Sequence, residues 1–229
     1  VERILWHIEN DVIPVVPEQG SVGASGDLAP LAHLFLPLLG LGEVFVDNVI
    51  IPADVFLKER RIKPLTLGAK EGLALINGTQ FILAHAVLIV DKLNNCLDTA
   101  NIVGAMSLDA MLGSTQPFRE ELHQLRPHAG AISVAKRLRE LLKDSFCVVL
   151  HKNCGRVQDP YSLRCMPQVH GVSLDAWKHL NDVVTVELNS VTDNPVVFDE
   201  KTTISGGNFH GQPLALPLDY AALAASELG

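Results

Sequence analysis

The sequence predicts a mainly α fold, with long helices packed in a bundle and a small irregular, strand-containing arm near residues 43–57. Three observations carry this expectation. Apolar residues recur at helical spacing over 69–98, 131–144 and 173–189. No proline interrupts the first of these stretches, and 43–57 is the best β-rich run in the chain. Hydrophobic residues make up 48% of the 229 and charged residues 19%, which favours a packed core over disorder. Aromatics are only 5%, so Leu, Val, Ile and Ala must build the interior.

Taken in order, residues 1–10 have helical potential and lead into a loop holding Pro14 and Pro17. Residues 20–27 are small and flexible, which suits a tight turn. An apolar run over 28–39 reads as a buried helix beginning near Pro30. The arm at 43–57 is broken by Asp47-Asn48 and by Pro52, as a short hairpin would be. Over 69–98 the apolar positions are Leu73, Ile76, Ile82, Ala86, Ile89, Val90 and Leu93. Over 131–144, Val134, Ala135, Leu138, Leu141 and Leu142 form one stripe, and Lys136, Arg137, Arg139, Glu140 and Lys143 populate the solvated face. The stretch 173–189 continues through Ala176, Leu180, Val183, Val184 and Leu188 until Pro195 closes it. Residues 213–229 read as an Ala/Leu-rich helix. Helices this apolar on several faces are expected to be buried in an oligomer as well as in the monomer.

Composition excludes some functions. A net charge of −8 with no Lys/Arg cluster offers nothing to nucleic acid. The four cysteines, Cys96, Cys147, Cys154 and Cys165, form no C-x-x-C pair, and His151 lacks zinc spacing, so no metal is expected. Ordinary buried thiols in a reduced cytoplasmic protein are the expectation. No uninterrupted run of 18 apolar residues implies a membrane span, and no signal peptide opens the chain.

Several short segments carry chemistry. In Gly23-Ala24-Ser25-Gly26-Asp27 the serine lacks the second glycine of a nucleophile elbow, and no Lys-Ser/Thr follows to make a phosphate loop. Such a turn is usually structural. A sharper option exists, because neither Ala24 nor Gly26 is bulky and the Gly26 nitrogen can attack the Ala24 carbonyl if the backbone is pinched. Loss of water closes a five-membered ring, and dehydration of Ser25 leaves an exocyclic methylidene, a conjugated electrophile. Asn77-Gly78-Thr79 matches a glycosylation sequon but sits in an apolar helical pattern, where a buried Asn must be hydrogen-bonded and can serve a ligand or the backbone. Gln158, Tyr161 and Arg164 recur every three residues, so one helical turn would gather them to hold a carboxylate. The plainer reading is a helix start with Asp159 as cap and Pro160 first, and the two are compatible. The segments 189–195 and 205–211 read individually as polar loops, and a lone His210 is more often structural than catalytic.

Their order is more specific than any one of them. Gly-Ser-Val-Gly-Ala-Ser-Gly-Asp-Leu-Ala-Pro-Leu (20–31), Asn-Gly-Thr (77–79), Gln-Asp-Pro-Tyr-Ser-Leu-Arg (158–164), Asn-Ser-Val-Thr-Asp-Asn-Pro (189–195) and Gly-Gly-Asn-Phe-His-Gly (206–211) resemble the successive signatures of the histidine/phenylalanine ammonia-lyase family. Cys165-Met-Pro-Gln-Val-His-Gly171 and Phe209-His210 resemble its histidine branch, since phenylalanine enzymes usually carry Gln after that Phe.

The resemblance implies a 4-methylidene-imidazol-5-one made from Ala24, Ser25 and Gly26, with Asp27 assisting closure and Phe209 pressing on the ring-forming loop. It implies that Arg164 binds the substrate carboxylate, supported by Gln158 and Asn194, while Asn77 and Tyr161 lie near the amine. The implied reaction is non-oxidative elimination of ammonia from L-histidine to trans-urocanate, in a cytoplasmic homotetramer without metal. The family enzyme is about twice this length, so the chain is expected to be an interior segment. Within it, 1–66 would be the ring-forming loop region and arm, and 67–229 the central helical bundle portion. The N- and C-terminal parts of the family fold, which carry further catalytic groups, have no counterpart in these motifs. Rival readings are a phenylalanine or tyrosine ammonia-lyase or aminomutase of the same family, and a non-catalytic helical scaffold that never matures its ring.

Overall fold

The computed structural model describes residues 1–20, 28–150 and 155–228, in two compact units. The first comprises 1–85 and 187–212, the second 86–186 and 213–229.

In the first unit, α1 (Glu2–Glu9) leads to the short strand β1 (Ile13–Pro14). Helix α2 (Leu28–Phe35) runs into a 3-10 turn over Leu36–Leu39, and the hairpin β2 (Glu43–Val46) and β3 (Val49–Pro52) follows. The three strands form an antiparallel sheet in the order β1-β2-β3, with Val44 opposite Ile51 and Val46 opposite Val49. Asp47 and Asn48 both take positive φ, 49° and 65°, the mirror-image turn that suits the twist of a tight hairpin. Val44 and Val46 point inward while Glu43 and Phe45 point out, the alternation of a half-buried strand.

The expected arm is only partly strand. Residues Ala53–Glu59 form helix α3, with Pro52 fixing the backbone just ahead of it. Ala53, Phe56 and Leu57 fall at i, i+3 and i+4 and are all buried, so the second half of 43–57 follows the helical period. With Val12, Val44 and Val46 they make the core of this unit, packed by Trp6, Ile51 and Ile62.

The helix expected over 69–98 is two helices. Helix α4 (Glu71–Ile76) ends at Asn77, whose backbone turns extended (φ −97°, ψ 107°), and α5 (Gln80–Ala110) resumes after Thr79. A Cβ on Gly78 would lie 2.7 Å from the Thr192 carbonyl oxygen, so close backbone approach reserves that position for glycine. Two members of the expected stripe, Leu73 and Ile89, are exposed. The stretch Glu71–Ala110 is long and apolar enough to cross a bilayer by length and composition, an 18-residue window within it reaching a mean hydropathy of 1.9, although Asp91 and Lys92 interrupt the stretch and no single apolar run spans it. Core helices of water-soluble proteins pass the same test.

The second unit contains the rest of α5, then α6 (Glu120–Gln124), α7 (Ala129–Leu141), α8 (Phe146–Leu150), α9 (Tyr161–Arg164) and α10 (Met166–Glu187). A two-stranded ribbon in the first unit, β4 (Val196–Val197) with β5 (Thr203–Ile204), precedes α11 (Gln212–Ser226). Leu108, Phe118, Val134, Ala135, Leu138, Leu142, Leu163 and Met166 form the second core. Each large apolar side chain buried there contributes about 1.5–3 kcal/mol relative to exposure.

The expected stripe on α7 is the buried one. Helix α10 begins earlier than 173, since Pro167 lies in its first turn, where a missing N–H costs nothing. It ends at Glu187, well before Pro195, and leaves Leu188 exposed. Helix α11 carries Pro217 inside it, on the buried stripe with Leu214, Ala221 and Ala224. The cysteines depart from the buried expectation: Cys96 is exposed, while Cys147 and Cys165 are half-buried free thiols.

Candidate functional site

Ala24, Ser25, Gly26 and Asp27 lie outside the described residues. The remaining site residues fall into the two units separately.

In the first unit the break between α4 and α5 sits on the 187–194 segment. Asn77 is buried, and its Nδ2 donates to Asp193 Oδ1 at 3.1 Å and to the Asn194 carbonyl at 3.0 Å. Lys70 Nζ pairs with Asp193 Oδ2 at 2.7 Å. Thr79 Oγ1 donates to Glu187 Oε2 at 3.2 Å, and Gln80 Nε2 to Thr192 Oγ1 at 3.1 Å. Burial works against ionisation of Asp193 and is the largest single influence on it. Donation from Lys70, the Asn194 N–H and the Asn77 amide, with the Lys70 charge, outweighs burial and holds the carboxyl below its ordinary value.

Asn194 anchors a second turn. Its Oδ1 accepts the Gly206 N–H at 2.7 Å and the Ser205 hydroxyl at 3.2 Å, and its peptide bond to Pro195 is cis. Phe209 is half-buried in the following turn. His210 Nδ1 accepts the Gln212 N–H at 3.1 Å, an orphan donor at the start of α11. Thus the structure brings Asn77 and Asn194 together. It adds Lys70 and Asp193, which the sequence reading passed over, although Asp193 lay inside the quoted 189–195 motif.

In the second unit, Tyr161 and Arg164 share the single turn of α9, with the guanidinium carbon 5.7 Å from the phenol ring centroid. Arg164 Nε donates to the Asp159 carbonyl at 2.9 Å, and its terminal nitrogens make no bond to described residues. Gln158 lies before the helix and is exposed, so one helical turn gathers two of the three expected residues. Asp159 does not cap α9, whose N-cap is Pro160. Its buried carboxylate accepts the Ser114 N–H at 2.6 Å instead and faces Arg156 at 3.7 Å. Gln158, Arg156, Arg164, Cys165 and Gln168 line a cavity of about 780 Å³. Two guanidinium groups and amides in such a cavity are suited to holding a carboxylate.

Among the described residues no group of three or more His, Cys, Asp or Glu side chains could hold a metal. A ring made from the chain's own backbone needs no such set. Asn77 is buried, both its N–H bonds are taken, and its oxygen bonds to no described residue.

Comparison with known proteins accords with these features. The sequence pattern of the family described as "Aromatic amino acid lyase" matches residues 1–229. Histidine ammonia-lyase of Stigmatella aurantiaca is 52% identical over 222 residues, which is 96% of this chain and 44% of that protein. The crystal structure of histidine ammonia-lyase from Trypanosoma cruzi superposes with a TM-score of 0.87 at 41% identity, over 99% of this chain and 42% of that one. Tyrosine aminomutase from Streptomyces globisporus does so with a TM-score of 0.89 at 38% identity, over 99% and 46%. The chain spans under half the length of the relatives it matches. On the match over its whole length, the chain belongs to the aromatic amino acid lyase family.

Proposed function

We propose that the protein is a histidine ammonia-lyase that eliminates ammonia from L-histidine to give trans-urocanate. The observation that carries this is 52% identity to a histidine ammonia-lyase across 96% of a chain that itself contains Ala24-Ser25-Gly26. The methylidene-imidazolone formed from that tripeptide supplies an electrophile for the substrate nitrogen, which makes a poor leaving group a better one.

The rest is positioning by side chains. Arg164, with Gln158 at the same cavity, receives the substrate carboxylate through its terminal nitrogens and so fixes which β-hydrogen is presented for removal. Tyr161, stacked on that guanidinium, lies beside the amine. In this reading Asn77 serves the amine and Asn194 supports the carboxylate, with Asp27 assisting ring closure and Phe209 bearing on the ring-forming loop. In the net reaction a β C–H proton goes to a base, its electron pair forms the new C=C bond, and the C–N bond breaks to release ammonia.

The quaternary structure proposed is a homotetramer. Leu88, Val103 and Met106 on α5 are 58%, 53% and 66% exposed, an apolar surface that an assembly would cover. Free thiols at Cys96, Cys147 and Cys165 accord with a cytoplasmic location. A second reading, an aminomutase acting on tyrosine, draws on the TM-score of 0.89 to that enzyme. Incubation of the protein at full natural length with L-histidine and L-tyrosine separates the two. Urocanate from histidine is expected, and β-tyrosine formed instead would sink the histidine reading.

A further inference from the structure

The Asn77 carboxamide has a polarity dictated by its neighbours. Its nitrogen side faces Asp193 Oδ1 at 3.1 Å and the Asn194 carbonyl at 3.0 Å, both acceptors. A flipped amide would press its own oxygen against two others, so one orientation alone is allowed. Both N–H bonds are then consumed inside the protein, and Oδ1 is left without a bond to any described residue. The Asp193 carboxylate that imposes this is itself clamped. Lys70 Nζ holds Oδ2 at 2.7 Å, and the Asn194 N–H holds Oδ1 at 2.7 Å. Lys70 reaches it from the N-cap of α4 in a left-handed conformation (φ 71°) that lysine adopts only when context demands it.

We propose that Asp193, clamped by Lys70, is a positioning residue that locks Asn77 with its amide oxygen toward the ligand, so that Asn77 recognises the N–H of the substrate's α-amino group. This rests on the amino-acid lyase reading above. The network makes and breaks no covalent bond. It decides which face of an amide a ligand meets, and replacing Asp193 by Asn weakens that control: the charge that pairs with Lys70 is lost, and the Asn194 carbonyl is left as the one acceptor-only neighbour of the Asn77 amide nitrogen.

The test measures binding rather than turnover. The protein at full natural length carries Ser25→Ala, so that no ring forms and no substrate is consumed. L-Histidine, L-tyrosine and L-phenylalanine are titrated calorimetrically beside their desamino counterparts, the 3-arylpropanoates, which keep the carboxylate and the ring but lack the amine. Adding D193N should weaken the amino acid that binds by roughly tenfold or more while moving its desamino counterpart by less than about twofold. K70Q should show the same selectivity with a smaller loss. Equal weakening of both ligands, or of neither, overturns the proposal. Where circular dichroism shows D193N unfolded, K70Q decides by the same criterion. If the Ser25→Ala parent binds none of the three amino acids, the lyase reading fails and this proposal with it, an outcome distinct from a parent that binds without selectivity.

Discussion

Gly130 and Gly171 meet backbone to backbone where α7 crosses α10, and a Cβ on either would overlap the main chain of the other. Asp175, one turn along α10, accepts the Gly130 N–H at 3.1 Å and so satisfies an orphan donor at the start of α7. The crossing is therefore both close and polar. Gly171→Ala must push the helices apart and should cost about 1–3 kcal/mol or more, read as a fall in the denaturation midpoint. An unchanged midpoint would mean that the helices do not approach this closely.

Gly78 makes the corresponding approach in the other unit, where a Cβ would meet the Thr192 carbonyl oxygen at 2.7 Å. Gly78→Ala should displace Asn77 from Asp193 and lower activity more than stability. If activity per folded molecule is unaffected, the break at 77–79 has only an architectural role.

Arg164 offers a planar fork, with Nε held by the Asp159 carbonyl. Arg164→Lys keeps the charge but loses bidentate geometry and the stacking on Tyr161. It should raise KM for the amino acid by roughly tenfold or more, as loss of a charge-assisted bond does. Steady-state kinetics with an unaltered KM would remove Arg164 from the carboxylate site.

The pH dependence of stability has a definite sign. Burial lowers the His7 pKa, helped by the Arg3 charge, and burial alone lowers that of His170. Both are neutral when folded, and the unfolded chain takes up their protons near the ordinary value of about 6.5. Their contribution is therefore complete above that pH and is lost as pH falls through the lowered folded values. Denaturant midpoints should drop as pH falls below about 6.5, and His170→Gln should flatten the slope. A second loss is expected lower down, from about pH 4, as Asp193 is protonated out of its pair with Lys70.

The sequence displayed the parts whose cause is local. The α7 stripe through Val134, Ala135 and Leu138 is a period, and the Asp47-Asn48 turn is residue chemistry. Two kinds of feature were hidden. Phe56 and Leu57 looked like strand because β-rich composition masked a helical spacing that Pro52 begins. The Lys70–Asp193 pair joins residues 123 positions apart, and no local pattern announces a contact at that distance. Gln158 failed for a related reason: a three-residue spacing gathers side chains only if the helix extends that far, and α9 starts at Tyr161.

The proposed function depends on a ring being formed from Ala24-Ser25-Gly26, and intact mass spectrometry of the purified protein tests that most directly. Closure and dehydration each release one water, so the measured mass should fall short of the sequence mass by two waters, and Ser25→Ala should abolish the dehydration. A wild-type mass equal to that of the unmodified sequence would contradict the ring.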